Sequence, residues 1–266
     1  MNNLIRGEYL PSLADKVLAH YDKLYCDPNS IKNGDTIYCD THHIDKFLDI
    51  LINKRNLKII THNSDYCLYD KNVTYNGVNV ENYKGCYRSW LGQNSYSEYV
   101  TPLPIGFENR RWEKSFGPKT NWMEEVKNET IDPSDSVYLN CNVNTNLKDR
   151  KECYEKVSGF SFVTCDKPNL AYKDYLRKIK SHKFTLSPRG NGLDCHRTWE
   201  TLMMNRIPII KKEGSLEKLY KGLPVLFVDD WDQIASIDLD KQYEKLKFNN
   251  CEFLTLKYWT SNENKL

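Results

Sequence analysis

The residues best suited to chemistry lie in one stretch, Phe184 to Ile210, which contains Ser-Pro-Arg-Gly-Asn-Gly-Leu-Asp-Cys-His-Arg-Thr-Trp-Glu. Its pattern predicts a buried strand, a loop bearing Gly190 and Gly192, a helix, and a second buried strand. In a parallel α/β sheet, ligands bind at that strand end, against the free N–H groups that open the helix. Arg189, Asn191 and Asp194 crowd the same turn. A capping box on Asp194 would place Glu or Gln at position 197, but the chain has Arg197 there. A cation in the first helical turn opposes the helix dipole, at a cost of about 0.3–1 kcal/mol. An anion held by Arg197, the helix N–H groups and the Gly190/Gly192 backbone would offset that cost. An ion pair of Arg197 with Asp194 or Glu200 would do so equally well. Glu200 either accepts from ribose hydroxyls or orients Arg197, its neighbour one turn back. The chemistry indicated is the binding of a phosphorylated ligand.

A second constellation follows the predicted strand Lys58–Thr61, where His62-Asn63-Ser64-Asp65 would project from the sheet's carboxyl edge. An inverting sugar transfer needs a base for the acceptor hydroxyl opposite a departing phosphate. Asp65 is the first candidate and His62 the second. An Asx-turn closing the strand is the plain alternative for the same residues. After a further strand, Asn140, Asn142, Asn144 and Arg150 could reach a diphosphate or sugar hydroxyls, or simply build a turn before a helix. Trp90, Gln93 and Asn94, with Glu108 and Asn109, form a polar-aromatic edge that could shape an acceptor site, although Trp90 suits a core equally well. Arg110 and Arg111 read as a solvated pair. Trp199, Leu202 and Met203 share one helical face and read as core. No metal is expected: adjacent residues such as His42 and His43 diverge in helix or strand, and Asp238-Leu-Asp240 lies in a polar tail.

The elements that must position these groups alternate between strand and helix in two halves, which predicts an α/β protein with parallel sheets. The first half, 1–130, has predicted strands at Thr36–Cys39, Lys58–Thr61, Tyr87–Leu91 and Val100–Ile105, and helical spacing over His43–Asn53. The polar stretch 113–134 reads as a linker. The second half, 131–238, has strands at Ser136–Cys141, Phe160–Thr164, Phe184 onward and Pro224–Val228, with a helix at Tyr172–Lys180. Residues 239–266 read as a helical tail packing back on the first half. A formal net charge of +2 without a basic run argues against nucleic acid as a partner. The nine cysteines are odd in number and contain no C-x-x-C pair, which points to reduced thiols. Without an apolar leader or an 18-residue apolar run, the expectation is a cytoplasmic protein with no transmembrane segment. The sequons at Asn72 and Asn128 are then chance matches.

Phe184 to Ile210, with Ser-Pro-Arg-Gly-Asn-Gly, Asp194, Arg197, Trp199-Glu200 and Arg206-Ile-Pro-Ile, resembles the C-terminal lobe of exostosin-like glycosyltransferases. His62-Asn-Ser-Asp65, Trp90-Leu-Gly-Gln-Asn94 and Leu103-Pro-Ile-Gly-Phe-Glu-Asn109 look like a related set seen in viral and bacterial members, and the chain as a whole resembles the chlorovirus xylosyltransferase-like ones. The likeness spans residues 36 to 232. It implies the GT-B architecture: two facing Rossmann-like lobes with a cleft between them and a C-terminal helix. It also implies an inverting, metal-independent transferase that moves a sugar, xylose as the first guess, from a UDP-sugar donor. The acceptor would be a hydroxyl of a glycan, such as one on a viral glycoprotein in the host cytoplasm. On that resemblance Arg197 and the Gly190–Gly192 turn hold the diphosphate, Glu200 the ribose, and Asp65 is the base. Two other classes stay open. A dinucleotide oxidoreductase would use Gly190-x-Gly192 and the acid Glu213, although Cys195 occupies the third glycine position. A non-catalytic glycan- or nucleotide-binding module would keep the fold and lose the base.

Overall fold

The computed structural model describes residues 3–70 and 76–261; Asn72 lies outside them. In the first half the strands are β1 (Lys16–His20), β2 (Lys23–Leu24), β3 (Thr36–Asp40), β4 (Leu57–His62), β5 (Cys67–Tyr69), β6 (Gly77–Asn79), β7 (Tyr87–Gly92) and β8 (Val100–Pro102). Six of them form one sheet in the order β2-β1-β3-β4-β7-β8, and β5 and β6 form a separate parallel pair. The six-stranded sheet is parallel except for β2, which folds back on β1 as a hairpin. In the second half, β9 (Ser134–Leu139), β10 (Val163–Cys165), β11 (His182–Leu186), β12 (Ile207–Lys211) and β13 (Leu226–Val228) are all parallel, in the order β10-β9-β11-β12-β13. That is a doubly wound order, which places ligands outside the carboxyl ends of the strands. The helices are α1 (Leu48–Leu51), α2 (Glu113–Phe116), α3 (Lys119–Asn128), α4 (Leu147–Val157), α5 (Tyr172–Lys180), α6 (His196–Met203), α7 (Leu216–Leu219), α8 (Leu239–Leu246) and α9 (Leu256–Ser261).

Alternating side chains on these strands feed opposite faces. Ile37, Cys39 and Ile59 enter one core of the first sheet, while Tyr38, Ile60 and Leu91 enter the other. On the second sheet Val137, Leu139, Phe184 and Ile209 face one core. The remaining core joins the two halves: Leu4, Ile5, Phe107, Met123 and Val126 pack with Leu176, Ile179 and Trp199.

Several expectations need correction. The supposed linker 113–134 carries α2 and α3, and the buried Met123 and Val126 of α3 belong to the joint core. The apolar spacing at Ile44, Phe47 and Leu51 is satisfied by a 3-10 segment, Thr41–Phe47, running into the short α1, rather than by one helix over 43–53. The β1–β2 hairpin has no sequence signal because its turn is Tyr21-Asp22, at φ of 50° and 61°, where Asn-Gly is the usual marker. In the tail, α8 lies on the second sheet, with the Tyr243 ring edge-on to Phe184 at 5.9 Å. The chain then returns to the first half, where the N–H of Ile5 donates to the Leu254 carbonyl and that of Leu256 to the Asn3 carbonyl, each at 2.8 Å. Among the described residues no helix is long and apolar enough to cross a membrane.

Candidate functional site

Among the side chains that fasten the glycine-bearing loop between β11 and α6 to the first half are Asn94 and Asp194. Asn94, at φ 57°, accepts from the N–H groups of Leu193 (2.9 Å) and Asp194 (3.3 Å) and donates to the Ser64 carbonyl (3.0 Å). Gly192 presses so closely on it that a Cβ there would lie 2.6 Å from Asn94 Nδ2. The Asp194 carboxylate accepts from the N–H groups of Ile105 and Cys195 at 2.7 Å, from the Trp199 indole at 2.9 Å, and from the Tyr220 hydroxyl. Burial holds the Asp194 carboxyl above its usual range even so. Both residues therefore depart from the roles expected of them. Asn94 is a clasp rather than part of an acceptor edge. Asp194 is a buried junction rather than an N-cap, because α6 begins at His196 after an extended Cys195 with no side-chain cap.

Beside the start of α6 lies a cleft of about 490 Å³ lined by, among others, Arg150, Arg197, Glu200, Asn142, Tyr172 and Tyr175. Arg197 donates from Nη1 to the Pro188 carbonyl at 3.3 Å, and its buried Nε has no partner. Arg150 donates to the carbonyls of Arg189 (3.0 Å) and Asn142 (2.9 Å). Glu200 is turned to the hydroxyls of Tyr172 (2.6 Å) and Tyr175 (2.9 Å). The ion pair of Arg197 with Asp194 or Glu200, one of the two readings left open above, is thus not formed. Burial works against the charge on Arg197, but Tyr175, Cys195, Cys141 and Glu200 outweigh it and raise its pKa. For Arg150, burial and then the like charge of Arg197 push the guanidinium below its ordinary value. The two cations feel each other, and among the described residues neither has a carboxylate bound to it. Gly190 leaves room for one of them, since a Cβ there would sit 3.0 Å from Arg150 Nη2.

Two residues assigned to this cleft from sequence lie outside its lining. Arg189 reaches the other way, to Glu213 at 2.6 Å and the Tyr96 hydroxyl at 2.8 Å, because that carboxylate is its nearest counter-charge. Asn144 is exposed on the turn after β9, where its N–H donates to Asn142 Oδ1 at 3.1 Å. Glu213 is consequently committed to Arg189 and Tyr96 rather than open to a ribose.

A second cleft, of about 450 Å³, opens at the carboxyl end of β4 and is lined by His62, Gln93, Glu108, Tyr21, Tyr66 and Trp112 among others. Arg111 lies over the rings of Tyr21 (3.5 Å) and Trp112 (4.5 Å), so it is a stacked cation rather than one of a merely solvated pair. Glu108 pairs with Lys119 at 2.9 Å. Gln93 is 2% exposed, and its buried Oε1 has no partner. His62 is 1% exposed and donates from Nε2 to the Pro104 carbonyl at 2.9 Å. A Cβ on Gly7 would come within 2.5 Å of its Nδ1, and burial pushes the imidazole pKa down. Trp90 is absent from the lining: its indole donates to Thr61 Oγ1 at 2.9 Å, and it packs edge-on to Tyr83 and Tyr87. It is a core residue, the alternative left open above.

Asp65, Ile105 and His196 border both clefts. Asp65 is exposed and accepts from Asn191 Nδ2 at 3.2 Å, across the gap between the halves. His196 donates from Nδ1 to the Gly106 carbonyl at 2.7 Å. His196, Lys119, Tyr172 and Tyr175 in the first cleft, and Tyr21, Tyr66 and Trp112 in the second, escaped the reading of the sequence. The i, i+3 tyrosines on the predicted helix Tyr172–Lys180 were the one available signal. The expectation that His42 and His43 diverge also fails: in the 3-10 segment their Nε2 atoms lie 3.4 and 2.8 Å from Asp22 Oδ1. No family model matches the chain, and no curated protein matches it at a significant level.

Proposed function

We propose that the chain is an inverting glycosyltransferase that moves a sugar from a UDP-sugar to a glycan hydroxyl, with its two halves acting as the lobes of a GT-B enzyme. The observation that carries this reading is the pair Arg150, buried, and Arg197, half-buried, each near a helix start and, among the described residues, with no carboxylate bound to it. The like charge of Arg197 works against that of Arg150, and a pyrophosphate bridging the two would relieve it. In this reading the diphosphate charge falls to Arg150 and Arg197 without a metal, and Glu200, fixed by two tyrosines, faces the ribose. The acceptor lies in the second cleft, whose aromatic faces suit a sugar ring. Asp65, on the border of both clefts, takes the proton of the attacking hydroxyl as the C–O bond to the departing diphosphate breaks. The commitment of His62 to Pro104 and its contact with Gly7 favour Asp65 over it as the base. Xylose as the sugar, a viral glycoprotein as the acceptor and the cytoplasm as the place rest on the resemblance alone.

The dinucleotide reading is weakened by Glu213, which is already held by Arg189 and Tyr96. A thermal-shift comparison tests the proposal directly, because a ligand that binds only the native state raises its melting temperature. UDP is expected to raise it and NADH to leave it unchanged; a shift with NADH alone would reverse the assignment. A binding module without catalysis would show the UDP shift but neither transfer nor donor hydrolysis across a panel of UDP-sugars.

A further inference from the structure

We propose that Asp22, His42 and His43 form a binding site for a borderline divalent transition ion, Zn²⁺ foremost, on the rim of the second cleft. The ligand atoms of the three side chains lie within 4.8 Å of one another. The β1–β2 turn and the 3-10 segment after β3 bring them together, since β1 and β3 are neighbours in the sheet. A tetrahedral ion with ligands at roughly 2.0–2.1 Å spaces them about 3.3–3.4 Å apart. The two Nε2–Oδ1 distances, 2.8 and 3.4 Å, already bracket that spacing, and Asp22 can adjust because its side chain is 82% exposed. Two imidazoles and one carboxylate suit Zn²⁺, Co²⁺ or Ni²⁺ rather than the hard ions Mg²⁺ and Ca²⁺.

Both rings bind through Nε2 as neutral imidazoles, which displaces the N–H bonds they now donate to Asp22. Three protein ligands leave at least one coordination position for water or another oxygen. The site adjoins the cleft: His42 is part of the lining and its ring lies 6.1 Å from that of Tyr66. Affinity has a ceiling, because His43 Nδ1 is buried with no partner to orient the ring. A missing outer-shell acceptor of this kind costs about 10- to 100-fold in metal affinity.

The site does not depend on the transferase reading, and its test reads metal alone. Chelator-treated, dialysed full-length protein is titrated calorimetrically with ZnCl₂. The expected result is one ion per chain, weakened tenfold or more by Asp22→Asn and by His42→Gln. Asn tolerates the left-handed backbone at position 22, so the Asp22 variant keeps its fold, which an unchanged melting temperature without zinc verifies. Cobalt substitution separates this site from the nine free thiols. The expected spectrum has d–d bands and no thiolate charge-transfer band. Absence of binding at roughly 100 µM zinc, binding unaffected by both substitutions, or a thiolate band would each overturn the proposal.

Discussion

The cleft beside α6 and the cleft at the end of β4 are close in size, about 490 and 450 Å³, yet they treat charge in opposite ways. In the second, Glu108 has Lys119 and Arg111 is covered by two rings. In the first, Arg150 and Arg197 donate to carbonyls, and among the described residues no carboxylate is bound to either. The acids in reach are occupied elsewhere, Asp194 by four donors and Glu200 by two phenols. On the proposed reading, the first cleft would take an anion and the aromatic second cleft a neutral, hydroxylated partner.

The comparison breaks most severely if Asp194 is not the junction its contacts make it. Asp194→Ala leaves the donors of Ile105, Cys195, Trp199 and Tyr220 unanswered. A loss of about 3–5 kcal/mol in urea unfolding is expected, and a loss below about 1 kcal/mol would show that the halves are joined by other means. Next in size is Asp65→Asn, for which turnover should fall at least about a hundredfold while UDP-sugar affinity stays within a few-fold. Full activity in that variant would remove Asp65 as the base.

Arg197→Ala sharpens the contrast between the clefts. It should weaken UDP by about 1.5–3 kcal/mol in titration calorimetry. Arg189→Met is the matched control. It removes a cation close in sequence that points to Glu213, and UDP affinity should change less than about twofold.

The smallest effect concerns pH and belongs to the second cleft. Burial holds the His62 imidazole below its ordinary value, so its neutral form stabilises the fold above about pH 6.5. That contribution is lost as pH falls from there through the lower folded value. His182 is pushed down by burial in the same direction. The test is therefore a difference: His62→Gln should flatten, without abolishing, the slope of stability against pH on the acid side of 6.5.

Much of the architecture was legible because it rests on local pattern. The alternation of Ile37, Tyr38 and Cys39 and the apolar runs at Phe184 and Ile207 fix parallel, doubly covered strands whatever surrounds them. The loop of Gly190 and Gly192 was likewise visible as a site. Its internal division was not, because whether Arg189 or Arg197 faces the cleft depends on Glu213 and Glu200, and so on pairings across the sheet. The clasp of Asn94 and the junction of Asp194 were hidden for the same reason: polar residues beside a glycine loop look alike whether they await a ligand or hold a neighbouring backbone. Trp90 shows the converse, an aromatic at a strand end that serves the core. The convergence of His42 and His43 was missed because the divergence rule for neighbours assumes helix or strand, and a 3-10 turn obeys neither.

The border residues Asp65, Ile105 and His196 carry a thermodynamic consequence. Because the same three side chains wall both clefts, an occupant of one presses on the boundary of the other through direct contact, with no relay through the sheets. Saturating the first cleft with nucleotide should shift the apparent affinity of a glycan in the second. Linkage requires that the glycan return the same factor to the nucleotide.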